Sequence, residues 1–587
     1  MTSTSPSRSK QWRVSPPPPA SFHIDPRELF PAASGSEAQP SRPPGLISPG
    51  WLQSRLLFNR GIKSVAAARL FLNPATSHLK DPFTLPDMEI AANTLLDACR
   101  AGESIGICGD FDVDGLSGTA VVVQTIRSLG GTPLPFIPHR EQEGHGVSLT
   151  AVHAFREAGA RLMVTVDTGT SDVDVIAAAK VMGIATIITD HHIAGPGSIG
   201  LPPAVAIVNP HRVTPEQPLS GSGVAFKLAQ AACTIAGIPV PADALALAAL
   251  GTIADSAPLR DDNRIIVRFG LEQLGKTKHP GLRGLLDHSR APAANGRPDT
   301  ELVSFYLGPR LNSAGRLGDA GPSLRLLISE DLGEAEALAS SLDALNSERQ
   351  RLGEMAWQQA EVQMKSIDRL SGVIVVKCES VQPGLLGPLA GKLCELHRRP
   401  AIAMTMTGGA MRASARSVPG FDIHAAIASQ SALLERFGGH ARAAGFTVRP
   451  ENVGAVLAGI ERHAAWASMN ADHAPEIEAD CETRLEELGV SMWDFVEAMS
   501  PFGEGNPAPL LISRSVQPVS VKTMGSTGKH LRLTIEDNGR AIDAVGFGLG
   551  GTTLGIGRVD IAYRLRTNLW AGRLRRELDL KAIRPSA

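Results

Sequence analysis

Between residues 104 and 236 the chain alternates short apolar runs with longer segments whose apolar positions recur every three or four residues. The runs lie at 104–109 (SIGICG), 134–138, 161–166, 184–189 and 204–208, and the helical patterns at 116–129, 150–158, 172–182 and 222–236. Strand and helix at this rhythm predict an α/β lobe built on a parallel sheet. Upstream, residues 51–73 read as small helices. Residues 1–44, rich in Pro, Ser and Arg, read as a disordered tail.

Further on, residues 332–366 contain no proline and are rich in Ala, Leu, Glu and Gln, which predicts one long helix of ~50 Å joining two lobes. A second, smaller α/β pattern follows within 367–460. From about residue 509 short alternating strands punctuated by glycine predict a small β-barrel or sandwich. The expected division is therefore a tail (1–44), a parallel-sheet lobe (45–331), a connecting helix (332–366), a second lobe (367–460) and an all-β domain (470–587).

Composition narrows the classes. A formal net charge of −2 over 587 residues argues against a generic basic coat. With 4% aromatics, extensive stacking platforms are not expected. No apolar run approaches the ~20 residues of a membrane span, and the first twenty residues lack the apolar stretch of a secretory signal. Six cysteines without CxxC spacing point away from disulfides or a thiolate zinc site and towards a reducing cytoplasm.

Candidate chemistry sits where the strands end, because ligands of parallel α/β sheets gather at the carboxyl edge. Strand one is followed by Asp110, Asp112 and Asp114 in GDFDVDG, and strand two by His139-Arg140. Strand three leads to Asp167, strand four to Asp190-His191-His192, and strand five to Asn209-Pro210. The D-x-D-x-D-G string resembles an EF-hand start, but Val121 occupies the position that needs Glu, which rejects calcium-loop geometry. The plainer reading of each Asp is a helix cap or polar loop. Taken together, so many carboxylates at one edge cannot all stay ionised without cations. Carboxylate oxygen with imidazole nitrogen suits Mn²⁺ or Mg²⁺, with zinc possible. Two such ions ~3.5–4 Å apart would clamp a phosphoryl group for hydrolysis.

These motifs resemble the DHH phosphoesterase superfamily, named for its Asp-His-His triplet. GDFDVDG, VDTG, ITDHH, VNP, GTIADSAPL and GPRLNSAGRLGDA occur in the order of its RecJ branch. RASARSVPGFD and FGGHARAAGFTV resemble the phosphate-binding motifs of its DHH-associated domain, and PFGEGNPAP with KHLRLTIE resembles the branch's oligonucleotide-binding (OB) barrel. The resemblance covers roughly residues 45–587. It implies a single-strand-specific 5′→3′ DNA exonuclease of repair and recombination, using two divalent cations, Mn²⁺ or Mg²⁺.

Carried over by position, the resemblance implies metal ligands at Asp110, Asp112, Asp114, Asp167, His191 and Asp255, with Asp167 bridging the ions. It implies that His192 donates a proton near the leaving oxygen and that Asp190 orients a histidine. Arg140, Arg310 and Arg316, with Asn209 and Asn312, would contact the strand's phosphates. Ser414, Arg416, Gly438, Gly439 and His440 would hold the 5′-terminal phosphate, which would set directionality. The implied partners are single-stranded DNA, a helicase and a single-strand-binding protein, with the chain acting as a cytoplasmic monomer.

Three positions depart from the branch. His145 stands where Tyr is usual, which implies an altered stacking contact. Val381 and Gln382 stand where Trp-His is common, which implies a missing imidazole contact and weaker affinity rather than altered chemistry. Two alternatives differ in substrate or lack catalysis: a phosphodiesterase acting on short oligonucleotides or cyclic dinucleotides, and a non-catalytic Cdc45-like scaffold. Residues 509–587 argue against the first, and the complete Asp/His set against the second. Residues 510–587 carry 13 Lys+Arg against 6 Asp+Glu, a local +7 that leaves −9 for the rest. The near-neutral total therefore hides a basic barrel fit for a phosphate backbone and an acidic remainder fit for cations.

Overall fold

The computed structural model of the chain describes residues 11–19, 22, 24, 29, 49–193, 200–213, 219–290, 297–365, 372–468, 476–525, 528–552, 554, 557–570 and 573–586. A strand β1 (Gln11–Val14) precedes the helices Pro49–Asn59, Val65–Leu72 and Met88–Arg100. The first lobe then builds a sheet from β2 (Ser104–Gly109), β3 (Thr132–Phe136), β4 (Leu162–Val166), β5 (Ala185–Thr189) and β6 (Ala206–Val208). All neighbours are parallel, in the order β3-β2-β4-β5-β6. Strands covered on both faces must be apolar throughout. Accordingly Leu162, Val164 and Val166 of β4 face one helical layer, while Met163 faces the other. The chain leaves β2 to form β3 on one side and returns to β4 on the other. That reversal opens a crevice beyond the carboxyl ends of β2 and β4, the usual ligand position of such sheets.

One helix, Leu332–Lys365, connects the lobes. Its first half buries Ala335, Ala339 and Leu342 in the first-lobe core, and its second half buries Ala356, Trp357 and Ala360 in the second. The rod is thus packed into both bodies rather than spanning free solvent. The second lobe is a mixed sheet of β7 (Ile374–Cys378), β8 (Ala401–Thr407), β9 (Ala410–Arg416), β10 (Leu434–His440) and β11 (Ala443–Val448), in the order β10-β11-β9-β8-β7. Only β7–β8 is parallel.

The C-terminal unit contains β12 (Glu476–Ala479), β13 (Cys481–Glu482), β14 (Leu511–Met524), β15 (His530–Asp537), β16 (Arg540–Gly546), β17 (Val559–Trp570) and β18 (Arg573–Pro585). The pairings β14–β15–β16–β18–β17 close back through β17–β14 into a five-stranded barrel, in which β16 and β18 are parallel. This is OB-type closure.

Two boundary expectations are corrected. The expected 1–44 tail includes β1, which pairs in parallel with β12, so that Trp12 lies opposite Ile477. Ile24 and Leu29 are buried in the barrel-side core. The rest of that tail lies outside the described residues. The parallel-sheet lobe does not begin at residue 45: Leu52, Leu56, Leu57, Ala68 and Leu72 pack with barrel residues such as Trp493 and Tyr563. Apolar faces of short helices show that they pack but not against what, so proximity in sequence misassigned them. Ahead of the barrel strands, the same unit carries the helix Val490–Ala498, whose Met492, Trp493, Phe495 and Val496 are buried.

Candidate metal centre and interlobe cleft

The helix Val113–Ser128 starts at the crevice because Asp112 caps it, its Oδ1 accepting from Asp114 N (2.9 Å) and Gly115 N (3.2 Å). This puts Asp110, Asp112 and Asp114 on the two sides of one tight βα turn. Asp114 is buried against the amino end of the helix Gly221–Ala236, where Oδ2 accepts from Gly221 N (2.7 Å) and Oδ1 from Ser222 N (2.9 Å). Asp167 follows β4 with φ +62°, a left-handed turn that aims its carboxylate back over the sheet edge. Asp255 ends the helix Ala244–Ala254.

These groups meet. His191 Nε2 lies 3.1 Å from Asp167 Oδ1 and 3.9 Å from both Asp114 Oδ2 and Asp255 Oδ2. Three triplets each place one donor atom per residue within 4.8 Å of the others: Asp110–Asp112–Asp167, Asp114–His191–Asp255, and Asp167–His191–His192. Asp167 belongs to the first triplet and lies 3.1 Å from His191 of the second, as a bridging ligand would.

The electrostatics test whether cations fit. Burial, reinforced by Asp110 and Asp114, raises the Asp112 carboxyl to about 6. Burial and Asp114 raise Asp255 to about 7. Asp167 is pushed well above the usual carboxylate range by burial, Asp114 and Asp112. Asp110 Oδ1 and Asp167 Oδ1 are buried oxygens without a hydrogen-bond donor. Crowded carboxylates with unfilled acceptors fit a pair of hard divalent cations.

Asp190 plays a different part. Its Oδ1 accepts from His191 N (2.7 Å), His192 N (3.0 Å) and His192 Nδ1 (2.8 Å), and its Oδ2 accepts from Thr170 N (2.9 Å). Burial pushes this carboxyl up, but the bond and charge of His192 outweigh it and hold it at about 2. The bond to Asp190 in turn lifts His192 to about 9. Each partner thus favours the charged form of the other.

Across the cleft, three strands of the second lobe align their polar groups. Ser414 on β9 lies opposite Gly445 of β11, which lies opposite Gly438 of β10. One row along, Arg416, Ala443 and His440 align in the same way. Arg416 Nη1 donates to Ser414 Oγ at 3.4 Å. At Gly439 φ is +129°, and a Cβ there would stand 2.4 Å from Ala443 O, so only glycine fits. Burial, Arg416 and His192 all lower the His440 pKa, so this imidazole of the second lobe lies within electrostatic reach of the DHH triplet of the first.

Arginines converge between the lobes. Burial, then Arg140, Arg349 and Arg416, lower Arg316 to about 10. Burial also lowers Arg140, which Asp110 and Asp112 partly offset. Its guanidinium stacks 4.8 Å above the Phe111 ring. Arg316 Nη1 reaches Gly384 O (3.3 Å) at the start of the helix Pro383–His397. Like charges crowded in this way mark a site for an anion. Arg349 was not singled out from the sequence. It looks like one charge among many on the connecting helix, and only the fold brings it to Arg316. It is held by Asn346 Oδ1 at 3.0 and 3.2 Å.

Two expected phosphate contacts are corrected. Asn209 is buried, and its amide donates to Thr170 Oγ1 (3.0 Å) and His192 O (2.9 Å) while Oδ1 accepts from His211 N (2.9 Å). It braces the DHH loop and has no donor left for a phosphate. Arg310 pairs with Asp343 (2.8 Å) and donates to the carbonyls of Tyr306 (2.8 Å) and Ser289 (3.2 Å), tying the helix Gly308–Leu317 to the connecting helix. Asn312, on the same helix, is half-buried. At the departing positions, the exposed His145 ring sits 4.4 Å from Phe111, with Nδ1 3.5 Å from Asp110 Oδ1. Val381 is buried in the core that holds Trp357, and Gln382 precedes the helix Pro383–His397, so neither supplies an imidazole.

A parallel-sheet lobe with an Asp/His cluster at its carboxyl edge, closed by a second lobe that presents arginine and serine, defines a two-lobed DHH phosphoesterase. Family models match in the same order: the DHH family N-terminal domain over 104–252, the DHHA1 domain over 371–465 and the RecJ OB domain over 479–582. The chain is 36% identical over 540 residues to the single-stranded-DNA-specific exonuclease RecJ of Bacillus subtilis, covering 90% of this chain and 67% of that one. It is 32% identical over 568 residues to the Salmonella typhimurium RecJ, covering 91% and 96%. The crystal structure of RecJ with Mn²⁺ from Thermus thermophilus superposes with a TM-score of 0.81 at 30% identity, covering 98% of this chain and 80% of that one. The chain belongs to the RecJ family.

Proposed function

We propose that this chain is a metal-dependent exonuclease that degrades single-stranded DNA from its 5′ end to mononucleotides. The observation that carries the reading is the meeting of the Asp110–Asp112–Asp167 and Asp114–His191–Asp255 triplets at the sheet edge, where His191 Nε2 lies 3.1 Å from Asp167 Oδ1. RecJ of Thermus thermophilus is solved with both Mn²⁺ and Mg²⁺, and the donor set here suits the same ions.

Two divalent cations bound there would supply Lewis-acid stabilisation of the attacking and the leaving oxygen. The rest is done by side chains. Asp110, Asp112 and Asp167 would hold one cation, and Asp114, His191 and Asp255 the other. Arg140 and Arg316 neutralise charge on the non-bridging oxygens of the scissile phosphate, where a planar guanidinium spans two oxygens. His192, protonated through Asp190, presents Nε2–H to the leaving 3′-oxygen. Ser414, Arg416, His440 and the backbone at Gly438–Gly439 take the terminal phosphate, so only a 5′ end seats fully. The basic barrel tracks the following nucleotides.

Among the described residues no helix is long and apolar enough to cross a membrane. We place the chain in the cytoplasm as a monomer serving DNA repair and recombination, supplied with strand by a helicase and a single-strand-binding protein. The test of the metal assignment is Asp167→Asn, which keeps the left-handed turn while removing the charge. We expect cleavage to fall by at least about a thousandfold with strand binding retained. Undiminished cleavage would sink the assignment.

A further inference from the structure

The PFGEGNPAP segment, residues 501–509, belongs to the barrel unit by sequence, yet its backbone turns towards the first lobe. Leu259 N donates to Glu504 O (2.7 Å), and Thr300 Oγ1 donates to Phe502 O (2.7 Å). A Cβ at Gly503 would come within 2.8 Å of Leu259 Cδ1, so the loop lies directly on that side chain. Asn506 is buried and stiffens the loop from within, its amide donating to Met499 O (2.9 Å) and Pro501 O (2.8 Å).

At the centre of this contact is Arg264, 3% exposed, on the first-lobe helix Asp261–Leu274. Its guanidinium donates to four carbonyls: Phe71 O (3.1 Å), Ser500 O (2.8 Å), Pro501 O (3.3 Å) and Ala498 O (3.4 Å). It also stacks 3.8 Å over the Phe71 ring. Arg268 adds bonds to Ser500 O (3.0 Å) and Ala498 O (3.4 Å). Two cations thus meet the carboxyl end of the helix Val490–Ala498, where the peptide dipoles leave partial negative charge. A buried guanidinium served by carbonyls alone is costly unless every donor is used. Here one residue gathers the barrel helix, the barrel loop and the helix Val65–Leu72. The first-lobe side of the contact, Pro258 to Arg264, begins three residues after Asp255 of the metal centre.

We propose that Arg264, with Arg268, Leu259 and Thr300, forms a latch that holds the 501–506 loop against the segment leaving Asp255 and so keeps the barrel in line with the metal centre. A long strand bound on the barrel then enters the cleft at a fixed register. Arg264 is a positioning residue, and its role rests on the nuclease reading above.

The test uses the full chain and two variants. Arg264→Lys keeps the charge but cannot reach four carbonyls, and Thr300→Val removes one bond at the edge of the latch. Steady-state cleavage is compared on a 5′-phosphorylated oligothymidylate of about 4 nucleotides and on one of about 40, well beyond the ~16 nucleotides that one OB barrel covers. We expect Arg264→Lys to raise KM for the long strand about tenfold while leaving kcat on the short one within about twofold. Thr300→Val should move KM in the same direction by about threefold. Amide hydrogen exchange at 501–506 should speed up in both variants. Equal loss on both lengths, or no change in KM and exchange, would overturn the latch. If the unaltered chain cleaved neither strand, the nuclease reading would fail, while exchange at 501–506 would still judge the latch.

Discussion

The Nδ1 of His192 lies 2.8 Å from Oδ1 of Asp190, and the same oxygen also accepts both backbone N–H groups of the His191-His192 pair. One buried carboxylate therefore fixes the loop, the tautomer and the charge of the imidazole beside the metal cluster. Asp190→Asn keeps the shape of the side chain and removes the negative charge. The His192 pKa, at about 9 with Asp190 in place, should fall towards its ordinary value near 6.5 in a titration of the metal-free chain followed by NMR. Because an orienting partner of this kind is worth about 10–100-fold in activity, kcat should drop by that factor. An unmoved imidazole would disprove the coupling.

The carboxylate cluster makes stability depend jointly on pH and metal. Asp112 and Asp255 are raised to about 6 and about 7, and Asp167 is raised well above the usual carboxylate range, all chiefly by burial. A carboxyl raised in the folded state binds more protons there than when unfolded. The metal-free chain should thus lose stability as pH rises from about 4 through about 7. Cations relieve that repulsion, so Mn²⁺ should raise the melting temperature more at pH 8 than at pH 5. Equal shifts at the two pH values would show that the carboxylates are not the groups relieved.

Asn209 separates a bracing role from a phosphate contact. With its amide bonded to Thr170 and to the His192 carbonyl, Asn209→Ala should loosen the DHH loop. We expect Mn²⁺ affinity to fall by about tenfold while the dissociation constant for single-stranded DNA, measured without metal, stays within about twofold. Weakened DNA binding with unchanged metal affinity would restore the phosphate role.

What the sequence made legible was local in origin. The strands β2, β4 and β5 stand out because burial on both faces demands unbroken apolar runs, and the residues after them point to the site because the topology sends every carboxyl end to one edge. Asn209 and Arg310 show the limit of a motif: it marks a position but not the partners that use up its donors. Arg349 and Arg264 carry no local signal at all, since each looks like an ordinary charge on a helix until packing brings the Arg316 cluster or the barrel carbonyls to it. The strand at Gln11–Val14 escaped notice because its partner, Glu476–Ala479, lies at the other end of the chain.

Hydrolysis at the Asp/His cluster that is directed from the 5′ end leaves its signature in the fate of a 5′-terminal label. A single-stranded DNA labelled at its 5′ terminus is incubated with the chain and Mn²⁺, and the first labelled product is identified. Labelled mononucleotide is expected from the earliest time points, and none when the metal is chelated. Labelled long fragments that shorten gradually, or cleavage that persists without metal, would contradict it.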